Sequence, residues 1–393
     1  MVKTLNKISL FSSIILIFSV LLLSCREKID EYAGLEYRGG NDIHITTFSN
    51  IDTLIIDAGP TSLAGQWLID RGKLLFLDEH VVGIHEYDMR GNFIGKYIER
   101  GRGPNEMIGP ARISTTDGNG NIIMIDSNMM IHSYDSLYKT RSKPYLYLSD
   151  LSLKNNNWTQ LLHNPDPEVK YMYERHAKIN RVKVVDNIMI MPVITEHVTY
   201  NGYETSTGSV KKFWRNTYTF INIDLKNKIT GNLFGTYPPA YRRNNIPVFS
   251  SYDFDTDAEN RNLYVGYMAD SLIYKMDITS GRLLCSFGCA AAGISKSYPS
   301  TTSFNEYSSV YKKHHERYGY YTQLVLVKNY LFRGYKKEGN TGYGLQVYFN
   351  NILVGDIAIN EPFDIIGEYD GSIYGVLPVD LDNECFRILK LVL

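Results

Sequence analysis

The chain is short of cysteine, of net charge and of helical periodicity, and each shortage excludes something. Four cysteines occur in 393 residues. Cys25 ends an apolar leader, which leaves Cys285, Cys289 and Cys385. An odd number cannot make a complete disulfide framework. Cys285 and Cys289 lie four apart in an apparent strand, about 13 Å between Cα atoms and beyond bridging distance. They read as small core residues. Lysine and arginine number 41 against 42 aspartates and glutamates. No basic stripe appears, which excludes a nucleic-acid partner. Almost no stretch has the 3.6-residue period of a long amphipathic helix. A G-x-S-x-G elbow is missing, and no catalytic triad can be assembled from spacing.

What is abundant is tyrosine, with 31 residues in a chain that is 13% aromatic. That suits a pleated, β-rich protein, and it also suits a face that binds sugar or peptide. The N-terminus carries the most specific signal. Residues 1–7 are short and basic through Lys3 and Lys7, and residues 8–24 are apolar without charge. This is a secretory leader and not part of the fold. Its ending, Leu22-Leu23-Ser24-Cys25, resembles a bacterial lipobox. The resemblance implies cleavage after Ser24 and diacylation of Cys25 with palmitate-type chains, in a Gram-negative cell. The leader carries two lysines and no acids, so its removal takes the net charge from −1 to −3. Residues 25–41 are then a tether, and 42–393 the folded part. The expected location is the outer membrane, on its periplasmic or cell-surface side, held by acyl chains at about 0.8 kcal/mol per buried methylene.

Short apolar runs broken by Gly, Asn and Asp recur along the rest of the chain, which is the pattern of an all-β protein. Residues 67–98 divide into four strands, and 111–148 divide the same way. "IHSYD" of the second unit echoes "IHEYD" of the first at the same offset. Further units cover 181–194 with 217–237, then 250–288, then 321–339 with 343–359. The last ends the chain at its third strand. Four-stranded units at a period of roughly 40–55 residues indicate a β-propeller, here six-bladed. Residues 42–57 are themselves strand-like and can supply the missing outer strand, closing the ring and removing exposed edges. Within blade three, 195–216 is an insertion bearing Tyr200, Tyr203, Phe213 and Trp214, read as either a recognition loop or an extended hairpin. Segments 158–180 and 289–320 are long connections, and 303–319 includes a short helical turn.

After the first blade comes Gly101-x-Gly103-Pro104-x-Glu106. With the leader, this pattern resembles the TolB-like or NHL-like six-bladed β-propeller lipoproteins, over about residues 42–393. The resemblance implies the architecture and leaves function open. Some NHL-like propellers are hydrolases, lactonases or lyases with a polar cluster in the central funnel.

The local motifs favour structure over chemistry. "ERGRGPNEM" lacks the third glycine of a dinucleotide fingerprint and the Gly-Lys-Ser/Thr of a P-loop. It reads as the seam between blades one and two. "DGNGN" and "DFDTDAEN" both fail the calcium-loop pattern at positions six and twelve and read as hairpin turns. His314, His315 and Glu316 do not form H-E-x-x-H, and adjacent histidines diverge on a strand or a helix. No metal or cofactor is implied. Connections between blades share a face with the loops joining second to third strands. On that face the sequence places Asp78, His80, Arg102, Glu106, Asp126, Tyr241, Arg242 and His315 as residues that can converge on the axis. The expected function is a lipid-anchored, monomeric binding or scaffold module for a peptide, glycan or envelope protein. The alternative is a hydrolase or lyase in the funnel.

Overall fold

Two kinds of turn set the spacing of the strands. In the tight hairpins both central residues take positive φ, as at Asp370 and Gly371 (49° and 78°) and at Asn350 and Asn351 (50° and 68°). That turn twists in the same sense as the strands it joins. In the longer turns an aspartate accepts N–H groups further along the chain. Asp88 takes those of Arg90 and Asn92, and Asp135 those of Leu137 and Lys139. Asp117 does the same for Asn119 and Asn121, so "DGNGN" is a turn held by its own side chain.

The computed structural model describes residues 30–59, 61–146, 166–195, 197, 209–301 and 303–393. The leader and Cys25 lie outside these. Residues 31–34 form a turn, with the Ala33 N–H donating to the Asp30 carbonyl. Strands β1 (Gly40–Ile45) and β2 (Asn50–Asp57) come first. Blade one is β3 (Gly65–Asp70), β4 (Lys73–Asp78), β5 (Gly83–Asp88) and β6 (Phe93–Tyr97). Blade two is β7 (Ala111–Thr116), β8 (Ile122–Asp126), β9 (Met130–Tyr134) and β10 (Thr140–Leu146). Blade three has a broken inner strand, β11 (Glu174–Arg175) and β12 (Lys183–Val185), then β13 (Ile188–Ile194), β14 (Phe220–Asp224) and β15 (Ile229–Phe234). Blade four is β16 (Tyr252–Asp257), β17 (Asn262–Tyr267), β18 (Ile273–Asp277) and β19 (Leu283–Phe287). Blade five is β20 (Tyr320–Val327), β21 (Tyr330–Lys336), β22 (Tyr343–Phe349) and β23 (Ile352–Ile359). Blade six is β24 (Asp364–Tyr369), β25 (Ser372–Val376) and β26 (Cys385–Val392).

The chain is therefore an all-β, six-bladed propeller of four-stranded blades. β2 closes it, pairing antiparallel with β26 from Asn50 against Val392 to Asp57 against Cys385. β1 adds a fifth strand to blade five, parallel to β23. Ahead of it, Arg38 N–H donates to the Ser286 carbonyl and Ser286 N–H to the Glu36 carbonyl, on the outer strand of blade four. Residues 36–57 thus run as a belt along the outer edges of blades four, five and six. The belt begins inside the stretch read from sequence as tether.

Apolar side chains alternate along the strands and meet between successive blades. Ile56, Leu74, Phe76, Phe386 and Ile388 fill the seam of blades six and one. Phe220 and Phe254 meet edge to face between blades three and four, 5.0 Å between centroids. Each such side chain contributes about 1.5–3 kcal/mol when fully buried. Cys285 and Cys385 are buried, Cys289 is half-buried, and all three are free.

Helices α1 (Ser209–Asn216), α2 (Pro239–Arg243) and α3 (Phe304–Arg317) lie in connections on one face of the ring. α3 is the helical turn expected in 303–319, extended to 14 residues. Ser303 Oγ caps it by accepting the Glu306 N–H at 3.1 Å, and His314, His315 and Arg317 occupy its last turn. That order of charge suits the helix dipole. In the blade-three insertion, residues 209–216 are helical, not a hairpin. Phe213 and Trp214 are buried there, with Trp214 Nε1 donating to Asn245 Oδ1 at 2.9 Å, and so serve packing rather than an exposed recognition loop. Tyr200 and Tyr203 lie outside the described residues.

The register of the closing strand is testable. Ile56 is 1% exposed and Ile55 is 68% exposed. Ile56→Ala should cost about 2–4 kcal/mol in urea unfolding, and Ile55→Ala no more than about 0.5 kcal/mol. The reverse order would mean that β2 pairs one residue out of register.

Candidate functional site

The inner strand of each blade faces the axis with one edge that no strand covers, so its backbone groups need other partners. At three of the six seams, among the described residues, side chains of the neighbouring blade supply them. Gln66 Oε1 accepts the Ser114 N–H at 3.2 Å, from blade one to blade two. Asp253 Oδ2 accepts the Leu324 N–H at 2.8 Å and Asp255 Oδ2 the Leu326 N–H at 2.9 Å, from blade four to blade five. Gln323 Oε1 accepts the Ile365 N–H at 2.9 Å, and its Nε2 donates to the Phe363 carbonyl at 2.6 Å, from blade five to blade six. Blade three reaches blade four through ion pairs: Arg181 Nη1 lies 2.9 and 3.0 Å from the two oxygens of Asp253, and Lys183 Nζ 2.7 Å from Asp255.

These straps surround a central funnel of about 620 Å³. Its mouth opens on the helix-bearing face, between the break in the inner strand of blade three and α3. β11 and β12 pair with the same strand, β13. Residues 176–182 between them leave the strand path and bring Lys178, Asn180 and Arg181 to the funnel wall. Tyr311 of α3 faces them, and Lys178 Nζ sits 5.3 Å from its ring centroid and 4.3 Å from that of Tyr307. Glu79 and Asp364 add negative charge to the wall, and Gln66, Thr322 and Gln323 add neutral polar groups.

Burial shifts several of these groups. It works against the charge of Arg181, but Asp253, Asp255 and Asp364 together outweigh it and hold the guanidinium more firmly protonated. Burial pushes the Asp253 carboxyl up, opposed by Arg181 and by the N–H groups of Leu324 and Phe254. Glu79 is pushed up by burial, against the pull of His80, Arg112 and Arg175. Asp364 and Lys178 are exposed to the funnel, and the surrounding wall desolvates them enough to push the Asp364 carboxyl up, against Arg181, and the Lys178 ammonium down. His176, 2% exposed behind this loop, is lowered to about 3 by burial and by Lys178 and Arg175.

The eight residues singled out from sequence occupy the same face as the funnel, but none of them lines it. Asp78 is buried and holds a turn, accepting from Ser62 Oγ (2.6 Å), His80 N–H (3.0 Å) and Val81 N–H (2.8 Å). Burial opposes its ionisation, and these bonds prevail and keep its carboxyl low. His80 is exposed beside it. Asp126, at the equivalent turn of blade two, accepts from Asn128 and Met130 and lies 3.1 Å from His132 Nε2. Tyr241 is fully buried and donates to the Phe249 carbonyl at 2.6 Å. Arg242 is half-buried beside Thr236. His315 is half-buried, stacked on Phe249 at 5.2 Å, with burial pushing its imidazole down. Arg102 and Glu106 are exposed, and Glu106 accepts the Gly103 N–H at 2.6 Å. A side chain on Gly101 would run into the Glu106 carboxylate, so the motif is a seam loop closed by its own glutamate. The charged funnel residue of blade one is Glu79, between Asp78 and His80. Of the three aspartates of "DFDTDAEN", which the sequence places in a turn, only Asp257 holds it, through Asn260, while Asp253 and Asp255 lie in the inner strand and reach blade five. The available signal was the two-residue spacing shared by Arg181/Lys183 and Asp253/Asp255.

Among the described residues, no group of three or more His, Cys, Asp or Glu side chains gathers as a metal site. No described helix is long and apolar enough to cross a membrane. No family profile matches the chain, and no curated protein matches it in sequence. Solved structures do resemble it. A member of the DUF4221 family from Bacteroides vulgatus superposes with a TM-score of 0.63 at 12% identity, covering 89% of this chain and 98% of that one. A protein from Bacteroides fragilis classed as exported superposes with a TM-score of 0.50 at 11% identity, over 90% and 98% of the two chains. At these identities the likeness concerns the propeller fold alone.

His176 makes stability depend on pH. The unfolded imidazole takes a proton near 6.5 and the folded one only near 3, so stability is complete above the first value and is lost as pH falls toward the second. Between pH 7 and pH 5 the wild type should lose about 2 kcal/mol in urea unfolding that His176→Asn retains. Parallel curves for the two proteins would contradict the assignment.

Proposed function

We propose that this chain is a lipid-anchored cell-envelope propeller that binds a peptide, a glycan or an extended segment of a partner protein in its funnel. The observation that carries this is the funnel itself. It is a cavity of about 620 Å³, open on one face and lined from all six blades by polar groups and charges of both signs. Pockets of that size, with a few converging polar groups, are where ligands bind. The lipobox-like ending at Cys25 supports anchoring by acyl chains in the outer membrane of a Gram-negative cell, as a monomer on the periplasmic or outer side. The described export of one Bacteroides structural neighbour agrees with that location. Kinship with TolB-like or NHL-like propeller lipoproteins rests on that ending and on the Gly101–Glu106 pattern.

A hydrolase or lyase in the funnel is the second reading, favoured by the convergence of Asp253 and Asp255 near the axis. It is weakened by their partners. Each carboxylate already holds a cation and a backbone N–H, which leaves neither free to move a proton.

The test is a thermal-shift screen of peptides and oligosaccharides on the detergent-solubilised chain. Thr322, exposed on the funnel wall, is replaced by Trp to plug it. A ligand should raise the melting temperature of wild type and leave Thr322→Trp unmoved. A ligand that stabilises both equally binds elsewhere and contradicts the reading. In the same cells, Cys25→Ser should move the protein from the membrane to the soluble fraction.

A further inference from the structure

Two successive straps across the inner edges share one pattern. Leu324 N–H receives the strap of blade four, and the residue before it, Gln323, supplies the strap of blade five. Ile365 N–H receives that strap, and the residue before it is Asp364. Continued by one blade, that pattern would have Asp364 tie blade six to blade one. Its carboxylate instead makes no hydrogen bond or ion pair among the described residues. Arg181, the cation that acts on it, is committed to both oxygens of Asp253 and to the Leu324 carbonyl.

A cleft of about 350 Å³ lies between blades six and one, lined by Trp67, Phe76, Phe363, Val379 and Phe386. Its rings pack closely, with Trp67 and Phe386 at 5.1 Å and Phe76 and Phe386 at 4.7 Å. Asp364, Gly65, Trp67 and Val376 line both cleft and funnel, so the two are continuous and Asp364 stands at their junction. An exposed carboxylate that no hydrogen bond or ion pair occupies, at the lip of an aromatic cleft, is complementary to an ammonium group that carries an apolar side chain.

We propose that Asp364 and the cleft between blades six and one bind the free N-terminus of a peptide that begins with an apolar residue. The ammonium pairs with Asp364 and the first side chain enters the cleft. The following peptide groups run through the funnel past Gln66, Asn180 and Thr322, toward the positive charge of Lys178. This rests on the funnel being a ligand site, and it names the chemistry that the site selects.

Isothermal titration of the solubilised chain with three tripeptides tests it: Phe-Gly-Gly, N-acetyl-Phe-Gly-Gly and Gly-Gly-Gly. Phe-Gly-Gly should bind. N-acetylation should weaken binding about tenfold or more, as expected when a charge-assisted hydrogen bond is lost. Asp364→Asn should bind the free and acetylated peptides alike. Val379→Phe, which fills the cleft without touching the carboxylate, should reduce Phe-Gly-Gly to the affinity of Gly-Gly-Gly. Unchanged melting temperatures would show that both variants are folded. The proposal is overturned if acetylation costs nothing in wild type, if Asp364→Asn keeps the preference, or if no tripeptide binds. If maltotriose binds in their place and Thr322→Trp removes it, the funnel is a ligand site but the assignment to an N-terminal amine is wrong.

Discussion

A ring of blades leaves two rows of strand edges, one at the rim and one at the axis, and unpaired backbone groups at either are costly when buried and sticky when exposed. The axial row is the harder to manage, because no strand fits there. This protein meets it with side chains. Asp253 and Asp255 reach across to Leu324 and Leu326, Gln323 to Ile365 and Phe363, and Gln66 to Ser114. Acids in such positions are themselves costly to bury, so Arg181 and Lys183 accompany them. The charged character of the funnel follows from this structural need before any ligand is considered.

The rim is handled by backbone. Residues 36–38 lie on the outer strand of blade four, β1 extends blade five, and β2 completes blade six. One continuous segment covers three consecutive outer edges. With the inner straps, it ties blades four, five and six from both sides. The seam of blades six and one is joined at the rim side by β2 and by apolar packing, but Asp364 adds no strap at the axis. A cleft lined by Trp67, Phe76, Phe363 and Phe386 lies at this seam.

The architecture was largely legible in the sequence. Short apolar runs broken by Gly, Asn and Asp, the echo of "IHEYD" in "IHSYD" and a last unit with three strands together imply six blades and a borrowed strand. The funnel was much less so. Asp253 and Asp255 sit among the same letters as a turn, and only the neighbouring blades reveal that they face the axis. His80 and Asp78 were preferred to Glu79, because one residue of rotation in a loop cannot be read from local composition. For buried Phe213 and Trp214 the sequence left a recognition loop and an extended hairpin equally open, because an insertion gives no sign of folding back as a helix. In hindsight a polar residue followed by an apolar one near the start of an inner strand, as in "GQWL", "YDFD", "TQLV" and "FDII", was a usable signal. It becomes one only once the axis is known.

The claim on which this account rests is that inner-strand carboxylates hold the backbone of the next blade. Amide hydrogen exchange at Leu324 and Leu326 tests it directly. In the wild type both N–H groups should be protected although no strand pairs with that edge. Asp253→Ala should speed exchange at Leu324, and Asp255→Ala at Leu326, with the outer strands of blade five unchanged. Protection that survives both substitutions, or that is absent from the wild type, would contradict the account.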